Sequence, residues 1–462
     1  MRQGYGGLRA FHWLVRRFLP TLQAMVSVAQ RMKHCVVIGG GVVGLTTAWA
    51  LAERGCAVTL VECQREVANG ASRANGGQLS YRYVSPLADE GVPLKALRWL
   101  LDPDGPLRFK PEASREQWSW LLAFLRACRG PVNRLTTARL LALGAYSQAA
   151  FGRLHESARL ECVSLRAPGK LVVYRKPAEF MRVAAKLTAG GCPGGHGRQD
   201  SSGSGSGPEQ ALSAAECVAL EPALAASPAL LAGGIFTAGE AVADCYKLCE
   251  LLAVRLKSHG NFRGFVNATA LGFTQRAGQV VALKTDSGEI EADDFVIAAG
   301  LQSRQLAQTL GLDLPLYPLK GYSLTAPIDA DHQPPVVSVT DFEKKVVYAR
   351  IGAHLRVAAM VDLVGVDSRI DPGRMASLRR TVQATFPRAA AFERASEWAG
   401  LRPATPSGAP ILGACGVRNV WLNVGHGALG FTFSFGTADI VAELVCGRRS
   451  PVALDGLQLG GH

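Results

Sequence analysis

Arg402 stands in Gly400-Leu-Arg-Pro403, where the proline disfavours helix at the residue before it and pushes Arg402 into an extended conformation. A planar guanidinium presented that way grips a carboxylate through two parallel hydrogen bonds, fixing orientation as well as charge. The competing role is structural, an ion pair with Glu397 or another acid. Downstream, Gly425-His-Gly-Ala-Leu-Gly430 opens a stretch of helical character from Phe431 to Cys446. Gly425, Gly427 and Gly430 thus form a glycine turn at a helix start, able to aim backbone N–H groups at a developing negative charge. His426 within it has the chemistry of an acid or base, although packing or hydrogen bonding is an equally good role. Alternation puts Tyr322 and Lys320 on one strand face and Tyr317 on the other. Tyr322 is a candidate second contact to the carboxylate, with core packing as its competing role.

These groups need a scaffold, and the N-terminal side supplies one. Cys35-Val-Val-Ile-Gly39 is a short β-branched run expected to be a parallel strand buried on both faces. Gly39, Gly41 and Gly44 follow in G-x-G-x-x-G spacing, and Val43 to Arg54 continues with helical composition. Gly39 permits the turn, Gly41 lets backbone approach a pyrophosphate, and Gly44 lets helix and strand pack closely. The helix N-terminus then faces the phosphates. A second strand, Ala57-Val-Thr-Leu-Val61, ends at Glu62, eighteen residues past Gly44, where a carboxylate can accept from both ribose hydroxyls. The acid disfavours a 2′-phosphate, so the dinucleotide is FAD or NAD rather than NADP. Asp294-Phe-Val-Ile-Ala-Ala-Gly300 is another buried strand ending in small residues, and it fits any position in such a sheet.

The chain has 462 residues, of which 48% are hydrophobic, enough for a large core and two interleaved domains. Its formal charge of +13 suits acidic lipid, nucleic acid or an anionic substrate. No Lys/Arg run of five and no basic ladder interleaved with aromatics occurs, so nucleic acid is not an expected partner. The eleven cysteines are scattered without a C-x-x-C pair, which argues for a reducing cytoplasm and against a metal centre; no metal is expected. Serine-hydrolase, zinc-protease and P-loop motifs are absent.

Residues 1–31 form a basic leader, since the first acidic residue is Glu53. Three readings compete: an amphipathic membrane-surface segment interrupted by Pro20, an Arg-rich targeting peptide, or an extension of little consequence upstream of Met32. Cys35 to Ala52 carries no charge over eighteen residues, yet its glycines divide it into strand, turn and helix rather than a membrane span.

From Val36 through Gly447 the chain resembles the FAD-dependent D-amino acid oxidoreductase family, and within it the bacterial dehydrogenase branch. The matching segments are the glycine fingerprint, Ser72-Arg-Ala-Asn-Gly-Gly-Gln78, Gly91-Val-Pro-Leu-Lys95, Tyr317-Pro-Leu-Lys-Gly-Tyr-Ser323, Gly400-Leu-Arg-Pro-Ala-Thr-Pro406 and Asn423-Val-Gly-His-Gly-Ala-Leu-Gly430. The resemblance implies FAD wrapped by Val37, Ile38, Gly39, Gly41, Val42, Val43 and Gly44, by Glu62 and Cys63, and by Gly300 closing the nucleotide domain. It further implies that Asn75, Gly76, Gly77 and Gln78 pass over the pyrophosphate and ring, a cluster that on composition alone reads as a surface turn. Gly425, His426, Gly427 and Gly430 fall on the N1 and C2 carbonyl side of the ring. Arg402 is implied to hold the substrate carboxylate. Ser72 and Arg73 do not match the covalent attachment pattern of the sarcosine oxidase branch, so FAD is expected to be noncovalent.

The expected fold is α/β, a Rossmann-type FAD-binding domain (residues 32–100, 235–310 and 395–450) with an interleaved substrate domain (101–234 and 311–394) built on a mixed or antiparallel sheet. A Gly/Ser-rich loop at 190–210 departs from the family. The implied reaction is oxidative deamination of a D-amino acid to a 2-oxo acid and ammonia. Electrons would pass to a quinone or other respiratory acceptor, placing the protein in the cytoplasm or peripherally on the inner face of the plasma membrane. Rival readings are a glycine, sarcosine or proline-type oxidase using oxygen, and a noncatalytic flavoprotein subunit of a hetero-oligomer. Oligomeric state is left open.

Overall fold

The computed structural model describes residues 32–84, 88–89, 91–102, 104–160, 163–188, 209–227 and 230–460. The basic leader and residues 190–208 of the Gly/Ser-rich tract lie outside the described residues. Glu209 and Gln210, expected as the end of that loop, instead open the strand Glu209–Leu212.

The fingerprint strand His34–Ile38 pairs in parallel with Ala57–Glu62 on one side and Asp294–Ile297 on the other. Phe262–Asn267 and Val420–Val424 extend the sheet in parallel, and Ile411–Ala414 closes it antiparallel, giving six strands. Being central and covered on both faces, residues 35–38 are all buried, which is why they read as an unbroken apolar run rather than an alternating one. The fingerprint helix Val42–Glu53 packs against the C-terminal helix Gly430–Val445.

That C-terminal helix also receives the long helix Gly130–Ala158. Leu140, Leu143, Phe151 and Leu154 join the core formed by Leu45, Leu60, Phe433 and Ile440. The approach is close. A Cβ at Gly436 would fall 2.9 Å from Ser147, whose hydroxyl instead accepts the Gly436 N–H at 3.0 Å. Assigning 101–234 wholly to the substrate domain is therefore corrected: this helix belongs to the nucleotide-domain core, because its apolar face matches the small residues of the C-terminal helix. Gly427–Val445, the one stretch of helix among the described residues long and apolar enough to cross a membrane, is 67% buried here.

The second sheet runs Ser396–Ala404, Tyr317–Pro327, His354–Leu363, Val346–Ile351, Ser338–Asp341, Lys170–Tyr174, Gly233–Thr237 and Glu209–Leu212, with Leu107–Phe109 beside His354–Leu363. It is mixed, mainly antiparallel, with parallel pairs at Ser338–Asp341 and Leu107–Phe109. Two boundaries are corrected by its pairing. Ser396–Ala404, expected in the nucleotide domain, pairs with Tyr317–Pro327, and Gly233–Thr237 pairs with Lys170–Tyr174. Strand periodicity fixes which face a residue occupies, not which sheet the strand joins. Arg402 therefore stands on the substrate sheet.

One irregularity in this sheet bears on the site. Opposite Lys320 and Tyr322 the strand His354–Leu363 shifts register, and Met360 within it has φ 67°. A left-handed non-glycine residue costs on the order of 1–2 kcal/mol, so its surroundings hold it there.

Candidate active site

The three fingerprint glycines are required for different reasons. A Cβ at Gly44 would lie 1.7 Å from the Gly39 carbonyl oxygen, and one at Gly39, whose φ is 113°, would lie 2.5 Å from that of Ala298. Both positions are closed by the protein itself. At Gly41 the nearest atom would be Ser72 Oγ at 3.5 Å, an ordinary contact. Among the described residues no neighbour demands glycine there, and the backbone at Gly41 is left open, as the approach of a pyrophosphate would require. Val37 underlies Gly44, Val42 N–H donates to Ser72 Oγ at 3.1 Å, and the Val43 carbonyl accepts the Thr47 hydroxyl at 2.6 Å.

Beside this turn lies a cavity of about 250 Å³ lined by Ile38, Gly39, Glu62, Cys63, Thr269 and Gln302 among others. It opens at the C-terminal ends of the parallel strands, where α/β sheets bind nucleotides. Glu62 is fixed at its edge: the N–H groups of Gly40 and Gln64 donate to its two carboxylate oxygens at 2.5 and 2.9 Å. Gly300, with φ 58°, turns the chain away from the adjoining strand. The walls contributed by Thr269 and Gln302 were not found from sequence, because no local pattern marks them.

The segment from Ser72 to Gln78 joins the two domains. Asn75 Oδ1 accepts the Gly77 N–H at 3.0 Å, and the Asn75 carbonyl accepts from Arg356 of the substrate sheet at 2.9 Å. Gly76 and Gly77 lie against that sheet; a Cβ at Gly77 would fall 2.2 Å from Ile351. Gln78 is held by its amide, which donates to Ser338 Oγ and accepts from Lys170 Nζ at 2.9 Å. Lys170 is buried, also donates to Ser80 Oγ at 2.9 Å, and lies 4.3 Å from the centre of the Tyr83 ring. Burial pushes its amine down to about 8, partly offset by Glu240. Lysine at an alternating strand position gives no sequence signal of this kind.

The same segment touches the start of the C-terminal helix. Thr432 Oγ1 accepts the Ser80 N–H at 3.3 Å, and the N-cap residue of that helix, Leu429, makes no side-chain cap. Gly425 (φ 80°) and Gly427 (φ 53°) make the preceding turn, while at Gly430 a Cβ would meet only His426 at 3.5 Å. His426 is buried, and its Nε2 lies 3.0 Å from Thr437 Oγ1. Burial pushes its imidazole down to about 3, so it is neutral and a poor base at ordinary pH. His426 bridges to Ala404, two residues from Arg402.

Arg402 completes the site. Its Nη1 donates to the Met360 carbonyl at 3.0 Å, the group displaced by the left-handed bulge. The guanidinium lies on Gly321, where a Cβ would come within 2.2 Å of Nη2. Glu397, the alternative partner, pairs with Arg379 at 2.8 Å. Asp362 pairs with Arg374 at 2.8 Å and accepts the Tyr322 hydroxyl at 3.0 Å. Among the described residues no carboxylate forms an ion pair with Arg402. Burial pushes its guanidinium down to about 10, and the field of Asp362 works against that shift. The result is a half-buried, partly desolvated fork with no carboxylate partner among the described residues, an arrangement that favours binding of an anion.

Tyr322 is 1% exposed and its hydroxyl is engaged by Asp362, so the structure places it in a buried network with Asp362 and Arg374. Tyr317 is likewise engaged, donating to Glu112 and accepting from Gln117.

A family model described as FAD dependent oxidoreductase (DAO) matches residues 34–444. The chain belongs to the FAD-dependent oxidoreductase family. Its FAD would be held by the Gly39–Gly44 turn, Glu62 and the seam segment, whose chemistry fits the group. Similar relatives include D-amino acid dehydrogenase 2 of Pseudomonas aeruginosa, 48% identical over 92% of this chain and 96% of the relative. D-amino acid dehydrogenase 2 of Ralstonia nicotianae is 44% identical over 90% and 96%. Among solved structures, glycine oxidase from Geobacillus kaustophilus aligns with TM-score 0.70 at 20% identity, over 93% of this chain and all of that one. That likeness shows the fold of this FAD-dependent oxidoreductase.

Proposed function

We propose that the chain is a D-amino acid dehydrogenase, converting a D-amino acid and water to a 2-oxo acid and ammonia with transfer of two electrons to a quinone or other respiratory acceptor. The observation that carries this reading is Arg402, a half-buried guanidinium whose only protein hydrogen bond among the described residues is to the Met360 carbonyl. A substrate carboxylate supplies the missing counter-ion. The two relatives named D-amino acid dehydrogenase support the choice of substrate class.

FAD, held by the Gly39–Gly44 turn and Glu62, would supply the two-electron acceptor for a hydride from the substrate α-carbon. The chain contributes position and electrostatics. Arg402 orients the carboxylate, with Met360 and Gly321 setting the plane of the fork. The uncapped helix start after Gly425–Gly430 directs backbone N–H groups at negative charge. His426, neutral by burial, holds the turn through Thr437 instead of moving a proton. Lys170 fixes the Gln78 amide at the domain seam. FAD is held noncovalently in this reading, and the protein works in the cytoplasm or peripherally on the inner face of the plasma membrane.

The test is anaerobic mixing of the purified yellow protein with D-alanine, D-proline, L-alanine or glycine. Bleaching by a D-amino acid and not by its L-enantiomer is the expected result. Bound flavin that none of these amines reduces would overturn the reading.

A further inference from the structure

The helix Arg115–Ala127 uses only one of its faces inside the protein. Gln117, Trp120 and Ala127 are buried, and Trp120 Nε1 donates to the Ala404 carbonyl at 2.9 Å. On the outer face Trp118, Leu122 and Leu125 follow at i, i+4 and i+7, one stripe along the helix. They are 48%, 55% and 49% exposed, and the next helix adds Val132 and Leu135 at 42% and 53%. Five of the fourteen strongly exposed large apolar side chains among the described residues fall within these eighteen positions, so this is clustering rather than the usual scatter. Trp118 is braced in place, its indole N–H donating to the Glu112 carbonyl at 3.0 Å and its ring edge-on to Phe109.

Glu116 is exposed at the N-terminal end of the stripe, beside Trp118, and beyond it the charge has one sign. Between Glu116 and Glu156 the chain carries five arginines, Arg126, Arg129, Arg134, Arg139 and Arg153, and no acidic residue. Arg126, Arg129 and Arg134 are exposed beside the apolar positions. An amphipathic surface with Trp and Leu on one face and arginine at its margin fits the headgroup and acyl boundary of an anionic bilayer.

We propose that the outer face of Arg115–Ala127 and the start of Gly130–Ala158 docks this protein on an anionic phospholipid membrane. The apolar stripe enters the interface and the arginines take the lipid phosphates. Trp120, on the inner face of the same helix, ties it to a strand position two residues from Arg402. A docked bilayer thus lies about one helix diameter, roughly 10–12 Å, from the strand carrying the carboxylate clamp. Its use for delivering electrons to a lipid-soluble quinone rests on the proposed function.

The full-length holoprotein is floated with vesicles of phosphatidylcholine alone or of an equimolar mixture with phosphatidylglycerol. Two double variants, Leu122→Ser with Leu125→Ser and Arg126→Gln with Arg129→Gln, change exposed positions, and an unaltered thermal transition and flavin content check their fold. Binding to the anionic vesicles only, weakened about tenfold or more in each variant, together with unchanged reduction of a soluble dye, is the expected result. Wild-type protein that does not float, or binding that survives both double variants, overturns the proposal. So does a concentration-dependent dimer that the leucine variants abolish, since the stripe is then a protein interface. Lack of dye reduction by the wild-type protein would count against the proposed function, while flotation would still decide the docking.

Discussion

As the proposed carboxylate clamp, Arg402 depends on its neighbours for its geometry. Its fork is flat against Gly321 and held by the carbonyl of Met360, while Asp362 is already neutralised by Arg374. Two charge-assisted hydrogen bonds to a carboxylate are together worth about 3–5 kcal/mol. Arg402→Ala is therefore expected to lower kcat/KM for D-alanine by roughly a hundred- to a thousandfold, at unchanged flavin content. A loss under threefold would place the clamp elsewhere. Gly321→Ala separates position from charge, because its Cβ would occupy the space of Nη2 and force the guanidinium aside. The arginine remains but leaves its plane, and a rise in KM of about tenfold or more with the fold intact is the expected outcome. An unchanged KM would show that the fork tolerates displacement.

At the scale of elements, the fingerprint turn and the substrate sheet differ in how much of them could be read before folding. Strand, glycines, helix and Glu62 lie within about thirty residues, so their spacing alone reports the turn. Its glycines also make opposite predictions. Gly44→Ala sets a Cβ 1.7 Å from the Gly39 oxygen and should prevent formation of the turn, with little folded protein recovered. Gly41→Ala meets only Ser72 Oγ at 3.5 Å, so the protein should fold with normal thermal stability in its FAD-free form. FAD affinity should fall about tenfold or more by titration if the added methyl meets the pyrophosphate as proposed; unaltered affinity would remove Gly41 from the cradle. Arg402 was likewise visible beside its proline. The parts that escaped are those made by pairing distant strands: the Met360 bulge, Gly321 beneath the guanidinium, the Asp362–Arg374 pair and Lys170 on Gln78. The same cause misplaced Ser396–Ala404 and Gly130–Ala158, because a periodic stretch states that it has a buried face and not which core receives it.

For the whole molecule, two basic side chains are buried where folding strips their protonated forms of water, and that cost makes stability depend on pH. Lys170 sits near 8 in the folded protein against an ordinary value of 10.5, because burial outweighs the attraction of Glu240. Between those values the unfolded chain binds the proton more readily, so folding gains stability as pH rises through that window, on the order of 3 kcal/mol in total. His426, pushed down to about 3 from 6.5, has the same sign lower down, its stability being lost as pH falls below 6.5. Buried thiols complicate the alkaline window, since Cys128 and Cys217 are pushed up to about 11 and therefore favour the unfolded state as pH rises past 9. Comparing the protein with Lys170→Met cancels the thiols. Urea unfolding of both at pH 7 and pH 10 should show the parent gaining on the variant by roughly 2–3 kcal/mol between the two, nearly all of it above pH 8. A gap that stays constant would mean that Lys170 keeps its ordinary proton affinity, and then its bonds to Gln78 and Ser80 carry the full charge of an ammonium across the domain seam.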